Sequence, residues 1–188
     1  RSSGKQGYAI AEELQRSGYH TTLISGPTSL KSPEGVETIN VNSASEMYEK
    51  TVENLPVDVA IFTAAVADFR VKEIKKDKIK KENLKNLEIE KTKDILDHTS
   101  KHNQLRPKLV IGFSAETNSL EKNSIKKLNE KNCDWIIAND VSNKSIGFNS
   151  DFNEVTVFYK NKEIEKIPKM SKALLAEKIV DKVIAKIN

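Results

Sequence analysis

The chain has 188 residues, 37% hydrophobic and 31% charged, which suits one domain with a substantial core. Its 31 basic and 27 acidic groups leave a formal net charge of only +4, short of the clustered excess of a protein that coats nucleic acid. The single cysteine, Cys133, excludes an internal disulfide and any zinc site built on several thiolates. No apolar run nears the ~20 residues of a membrane span and no signal peptide is present, so a cytoplasmic protein with no membrane partner is expected.

In chain order, Gly7 to Arg16 reads as a helix with Ile10 and Leu14 one turn apart, and His20 to Ile24 (HTTLI) as a strand. Residues 25–35, with two prolines and two glycines, read as a loop. Val36 to Val41 is a short strand, and Ser43 opens a helix with a capping box completed by Glu46. Val57 to Thr63 is nearly continuous in apolar residues, the pattern of a strand covered on both faces.

Leu87 to Glu90 is a candidate strand, and Thr92 a candidate cap for a helix running through His102. Leu109 to Phe113 (LVIGF) and Asp134 to Ala138 (DWIIA) are buried strands separated by a helix from Leu120 to Lys131. Val155, Val157 and Tyr159 then alternate, a turn follows at Asn161, and Ile164 begins the return of a β-hairpin. Ser171 to Ile187 carries a helical apolar stripe. Strands alternating with helices predict an α/β fold with a parallel sheet and helices on both faces.

Such sheets bind ligands outside the carboxyl ends of their strands. Three buried strands here end in small residues followed by an acid or amide: Thr63-Ala64-Ala65-Val66-Ala67-Asp68, Gly112-Phe113-Ser114-Ala115-Glu116, and Ala138-Asn139-Asp140. Small residues admit a ligand to the backbone, and the polar groups orient it. Lys72, Lys75, Lys76, Lys78, Lys80 and Lys81 follow the first of these ends, interrupted by Glu73 and Asp77 and without aromatic residues among them. Nucleic acid would call for a basic stripe, with aromatics where single strands stack. A triphosphate needs only one or two close cations and a carboxylate to hold its metal, which suits Asp68 and part of this run.

At the amino end, Ser2-Ser3-Gly4-Lys5 precedes a helix and offers backbone N–H groups to a phosphate, although neither a Walker A motif nor GxGxxG is present. His98 and His102, spaced i, i+4, lack an HExxH context and read as a solvated helix face rather than a metal pair.

In order along nearly the whole chain, RSSGKQG (1–7), LISGP (23–27), AAVADF (64–69), KIKK (78–81), GFSAET (112–117), ANDVS (138–142) and GFNSD (147–151) resemble the phosphopantothenoylcysteine synthetases, the phosphopantothenate–cysteine ligases of coenzyme A biosynthesis. The resemblance implies a Rossmann-like three-layer α/β/α sandwich with a mostly parallel central sheet and a C-terminal β-hairpin plus helix. It implies one domain over residues 1–188 that works as a homodimer; the hairpin from Glu154 to Ile167 is our own candidate contact. It also implies a reaction. The carboxylate of 4′-phosphopantothenate attacks the α-phosphate of CTP, with Mg2+ accompanying the nucleotide, to give an acyl-cytidylate and pyrophosphate. The amine of L-cysteine then displaces CMP.

Carried over by position, Ala64 and Ala65 lie against the substrates, Asp68 binds the nucleotide through its metal, and Lys78 matches the essential lysine. A preorganised charge of that kind contributes about 3–4 kcal/mol to a transition state. Lys93, Asp94, Ile95 and Leu96 match a nucleotide-contacting turn, Phe113, Lys127 and Lys131 further nucleotide contacts, and Ser3 and Gly4 a phosphate cradle.

Two departures stand out. The family's Asn-Pro-Asp-Ile turn is Thr92-Lys93-Asp94-Ile95 here, which implies a backbone contact at Lys93. The family also places a catalytic asparagine, after a first strand and turn, directly before the stretch that opens this chain at Arg1. The start without methionine suggests a piece of a longer protein, with that strand and turn outside it. Many bacterial synthetases are fused to an upstream decarboxylase, and FMN is expected only if such a domain is present. The rival readings are an NAD(P)-binding oxidoreductase on the same fold, which would want GxGxxG and a following acid, and a non-catalytic nucleic-acid-binding module using the lysine run.

Overall fold

The computed structural model describes residues 3–72, 88–141 and 150–188. Its elements in order are α1 (Lys5–Arg16), β1 (Thr22–Ser25), β2 (Glu37–Asn40), α2 (Ala44–Glu53), β3 (Val59–Phe62), β4 (Phe69–Val71), β5 (Ile89–Lys91), α3 (Ile95–Ser100), β6 (Leu109–Glu116), α4 (Leu120–Glu130), β7 (Trp135–Asp140), β8 (Phe152–Tyr159), β9 (Ile164–Ser171) and α5 (Lys172–Ile187). The central sheet has the order β3-β6-β7-β8-β9. Its first three strands are parallel and the β8–β9 hairpin is antiparallel, with a bulge between Asn153 and Val155. β1 and β2 form a separate parallel pair, and β4 and β5 an antiparallel ribbon.

Alternation along the strands divides the apolar residues between two layers, because successive side chains leave opposite faces of a sheet. Leu109, Ile111, Trp135, Ile137, Val155 and Val157 face α1 and α5, where Ile10, Leu175, Ile179, Val180 and Val183 complete one core. Val110, Ile136, Ala138 and Phe158 face the other way, against Leu96 of α3 and Leu128 of α4. The result is the expected three layers. Each large aliphatic side chain so buried contributes about 1.5–3 kcal/mol.

Two close approaches set where the helices begin. A Cβ on Gly112 would meet Leu96 Cδ2 at 2.8 Å and Ile136 Cδ1 at 2.9 Å, so the glycine lets α3 start directly over the middle of β6, level with the end of β3. A Cβ on Gly7 would lie 2.6 Å from Thr63 Oγ1, so α1 begins against the end of β3.

Several expectations change. β3 runs only from Val59 to Phe62 and is half-buried throughout, because it is the edge strand of its sheet among the described residues. β6 extends three residues past Phe113, to Glu116. The helix expected from Thr92 to His102 starts at Ile95 and ends at Ser100, capped by the Asp94 carboxylate, which accepts from Asp97 N at 2.8 Å. The Thr92 hydroxyl is engaged elsewhere, on the Ala67 carbonyl. The capping box of α2 forms, with Ser43 Oγ accepting from Glu46 N, but the Glu46 carboxylate returns to Asn42 N and the Ser43 hydroxyl.

Candidate active site at the carboxyl edge of the sheet

β3, β6 and β7 are adjacent and parallel, so their carboxyl ends share one edge. Ala64 and Ala65 leave β3 exposed and offer only methyl groups, so a ligand can lie against their backbone. Asp68 is exposed four residues past Ala64. Its carbonyl accepts from Thr92 N at 2.9 Å and the Ala67 carbonyl accepts the Thr92 hydroxyl, which ties the β3–β4 loop to the start of the next segment. No ion pair engages the Asp68 carboxylate among the described residues.

Lys93-Asp94-Ile95-Leu96 follows at once. Ile95 and Leu96 are buried beneath the turn, and Leu96 packs over Gly112. The Asp94 carboxylate does two jobs: it caps α3 and receives Lys131 Nζ at 2.8 Å. Burial acts to raise its pKa, but the Lys131 ammonium and the Asp97 amide outweigh it and hold the carboxyl below the ordinary aspartate value. The hydrogen bond to Asp94 correspondingly raises Lys131. Lys127, one turn before Lys131 on α4, donates to the Phe113 carbonyl at 3.3 Å. α4 therefore delivers two cations to the gap between α3 and the end of β6.

Ser3 and Gly4 stand at the start of α1. Gly4 takes φ 76°, a left-handed conformation suited to glycine, and the Ser3 carbonyl accepts the Thr28 hydroxyl at 3.3 Å. The contact of Gly7 with Thr63 brings this turn to the same edge as Ala64.

The structure thus gathers Asp68, Lys93, Asp94, Ile95, Leu96, Phe113, Lys127 and Lys131 along one rim, with Ala64, Ala65, Ser3 and Gly4 at its β3 end. Lys78 lies outside the described residues. The Lys93 side chain is engaged by α2: its ammonium sits 4.4 Å from the ring centroid of Tyr48. His98 and His102 do face one way, with ring centroids 5.6 Å apart, and His98 also meets the Tyr48 ring edge-on at 5.0 Å. Among the described residues no group of three or more His, Cys, Asp or Glu side chains is arranged to hold a metal ion, and no helix is long and apolar enough to cross a membrane.

Sequence reasoning placed a strand at Leu87 to Glu90, observed as β5, but missed its short partner β4 and the Lys5–Asp151 ion pair, 2.6 Å across 146 positions. It also missed Asp94 as the cap, although Asp97 three residues on was a readable signal.

An edge of this build, at the carboxyl ends of parallel strands and flanked by helix starts, is where doubly wound α/β proteins bind ligands. The chain belongs to the family described as DNA/pantothenate metabolism flavoprotein C-terminal domain, whose model matches residues 1–187. It is 41% identical over 185 residues to the Coenzyme A biosynthesis bifunctional protein CoaBC of Vibrio parahaemolyticus and 40% identical over 188 residues to that of Bacillus subtilis. These alignments cover 96% and 98% of this chain but 46% of each relative, so the chain spans about half the length of the curated relatives it matches. Among solved structures, the C-terminal domain of a CoaBC protein superposes with a TM-score of 0.79 at 38% identity, covering 97% of this chain and 82% of the other. A Cab2 variant in complex with phosphopantothenate-cysteine shares the fold, with a TM-score of 0.76 at 14% identity over 100% of this chain and 78% of that one.

Proposed function

We propose that this chain catalyses the CTP-dependent ligation of 4′-phosphopantothenate to L-cysteine. The observation that carries the reading is the rim itself: exposed Ala64 and Ala65, then Asp68, set beside the Asp94–Lys131 pair and Lys127 by strands and helices distant in sequence. Membership of the pantothenate-metabolism family and likeness to proteins of coenzyme A biosynthesis support it. The Cab2 structure supports it more loosely, since phosphopantothenate-cysteine is the product this reaction would form.

Ala64 and Ala65 hold the pantothenate carboxylate against the end of β3, and the start of α1 at Ser3 and Gly4 cradles a phosphate of the nucleotide. The nucleotide lies along Lys93–Leu96 and Phe113, with its phosphates facing Lys127 and Lys131. The carboxylate oxygen bonds to the α-phosphorus, the bond to the bridging oxygen breaks, and pyrophosphate carries away the electron pair. The cysteine amine then forms the amide bond, loses its proton, and CMP leaves.

Lys78, assigned by its place in KIKK, offsets the charge growing on the departing pyrophosphate. One exposed carboxylate suits a hard divalent ion that takes most of its ligands from phosphates and water, so Asp68 is the residue that would hold Mg2+ with the nucleotide. That ion would supply neutralisation of phosphate charge. A homodimer, and a fused decarboxylase domain carrying FMN, belong to the same proposal.

The test supplies the full-length protein with CTP, Mg2+ and phosphopantothenate. Pyrophosphate should appear, and added cysteine should yield CMP and phosphopantothenoylcysteine. Lys78→Gln should lower turnover about 10²- to 10³-fold with its melting curve unchanged. Near-normal turnover in that variant would remove Lys78 from the role. NADPH binding without CTP binding would favour the oxidoreductase reading.

A further inference from the structure

α2 places no buried residue in either core, yet it is fastened to the rim of the site at several points. Ser45 and Tyr48 stand three residues apart and so share one helix face. Arg70 of β4 donates from Nη1 to Ser45 Oγ and from Nε to Glu90 Oε1 of β5, each at 2.7 Å. One guanidinium therefore joins α2 to both strands of the ribbon. The Tyr48 ring takes the Lys93 ammonium on its face at 4.4 Å and His98 of α3 against its edge.

Lys93 is itself held on either side. Thr92 grips the Ala67 and Asp68 carbonyls, and Asp94 caps α3 and binds Lys131. Anything that fixes the Lys93 stem thus fixes the offset between the Asp68 loop and the first turn of α3. No residue of α2 is fully buried, so its polar and aromatic contacts supply part of that restraint.

We propose that Tyr48, seconded by Ser45, is a positioning residue for the nucleotide site: α2 is a brace that sets the Lys93–Leu96 turn against the Asp68 loop. This rests on the nucleotide reading above. It also accounts for the chain's departure from the Asn-Pro-Asp-Ile turn, because Lys93 contributes a side chain that reaches the brace while its backbone stays at the rim.

A cation over a half-buried aromatic face is a modest interaction, worth about two- to five-fold in an equilibrium. In the full-length protein, Tyr48→Leu and Lys93→Met should each raise KM for CTP by about that factor, with kcat changed less than about two-fold. The double variant should be no worse than the poorer single one, since either change breaks the same contact. Tyr48→Phe, which keeps the ring face, should restore the KM lost in Tyr48→Leu. Additive effects on KM would overturn the proposal. So would a KM effect confined to Lys93→Met, because that lysine would then reach the nucleotide by itself. If the unmodified protein does not consume CTP, the functional reading fails, and the brace is judged by thermal melting of the same variants. Non-additive shifts in Tm sustain it and additive shifts overturn it.

Discussion

Replacing Asp94 separates two contributions that meet on one carboxylate. It caps α3 through Asp97 N at 2.8 Å and pairs with Lys131 Nζ at 2.8 Å, where the two side chains are 42% and 27% exposed. A lost N-cap costs about 1 kcal/mol. A pair this open to solvent is screened and contributes about 0.5 kcal/mol, and Asp97, 3.8 Å from Lys131, retains part of that. Asp94→Ala should therefore lose about 1.5 kcal/mol, a fall in Tm of about 3–6 °C at this chain length. Asparagine caps as well as aspartate, so Asp94→Asn should lose only the pair, about 1–2 °C.

The pH dependence follows from the depressed carboxyl. A folded-state pKa below the unfolded one gives stability that is fully present above the unfolded value and is lost as pH falls through the folded value. The gap between wild type and Asp94→Asn, measured by circular dichroism melting, should accordingly close as the pH is lowered through the acidic range. Equal losses in the two variants at neutral pH would refute the division into cap and pair. A gap that widened on acidification would refute the sign.

Two further outcomes test the geometry that places the site. Gly7→Ala should lower Tm by about 2–4 °C, because overpacking against Thr63 Oγ1 at 2.6 Å outweighs the ~1 kcal/mol that alanine adds to a helix. In a Thr63→Ala background the same change should become stabilising, which a melting series on the four proteins checks. Cys133 is fully buried and its thiol is pushed up to about 11, mainly by burial, so roughly one thiol in a thousand is ionised at about pH 8. Alkylation followed by mass spectrometry should be slow in the folded protein and rapid in denaturant.

The parts of the fold that were legible are those where one physical signal dominates. Long apolar runs such as LVIGF and DWIIA locate strands because burial on both faces leaves no room for polar residues. The stripe of α5 and the alternation of β8 are equally clear. Legibility fails where a residue's role is decided by a partner far along the chain. Thr92 has the local look of a cap, yet its hydroxyl serves Ala67, 25 positions earlier, and the cap falls to Asp94. Tyr48 reads as an ordinary helix residue until Lys93 and His98 are folded against it. The strand ends were readable because small residues and an acid after an apolar run have a local chemical meaning. The pairing of Lys131 with Asp94 has none until α3 and α4 lie side by side.

The sheet order β3-β6-β7-β8-β9 follows the order of the chain, so each of these strands pairs with the one before it in that series. The α1–α5 contact is different, since it joins helices from opposite ends of the chain, through Ile10 and the stripe of α5. Its closure spans more chain than any strand pairing in the sheet, and loop entropy rises, slowly, with that length. Undocking α1 would uncover one face of the core it shares with α5. It would break no hydrogen bond of the central ladder, and it would carry Ser3 and Gly4 away from the rim. Docking of α1 on α5 is thus what keeps the turn at Ser3 and Gly4 beside the end of β3.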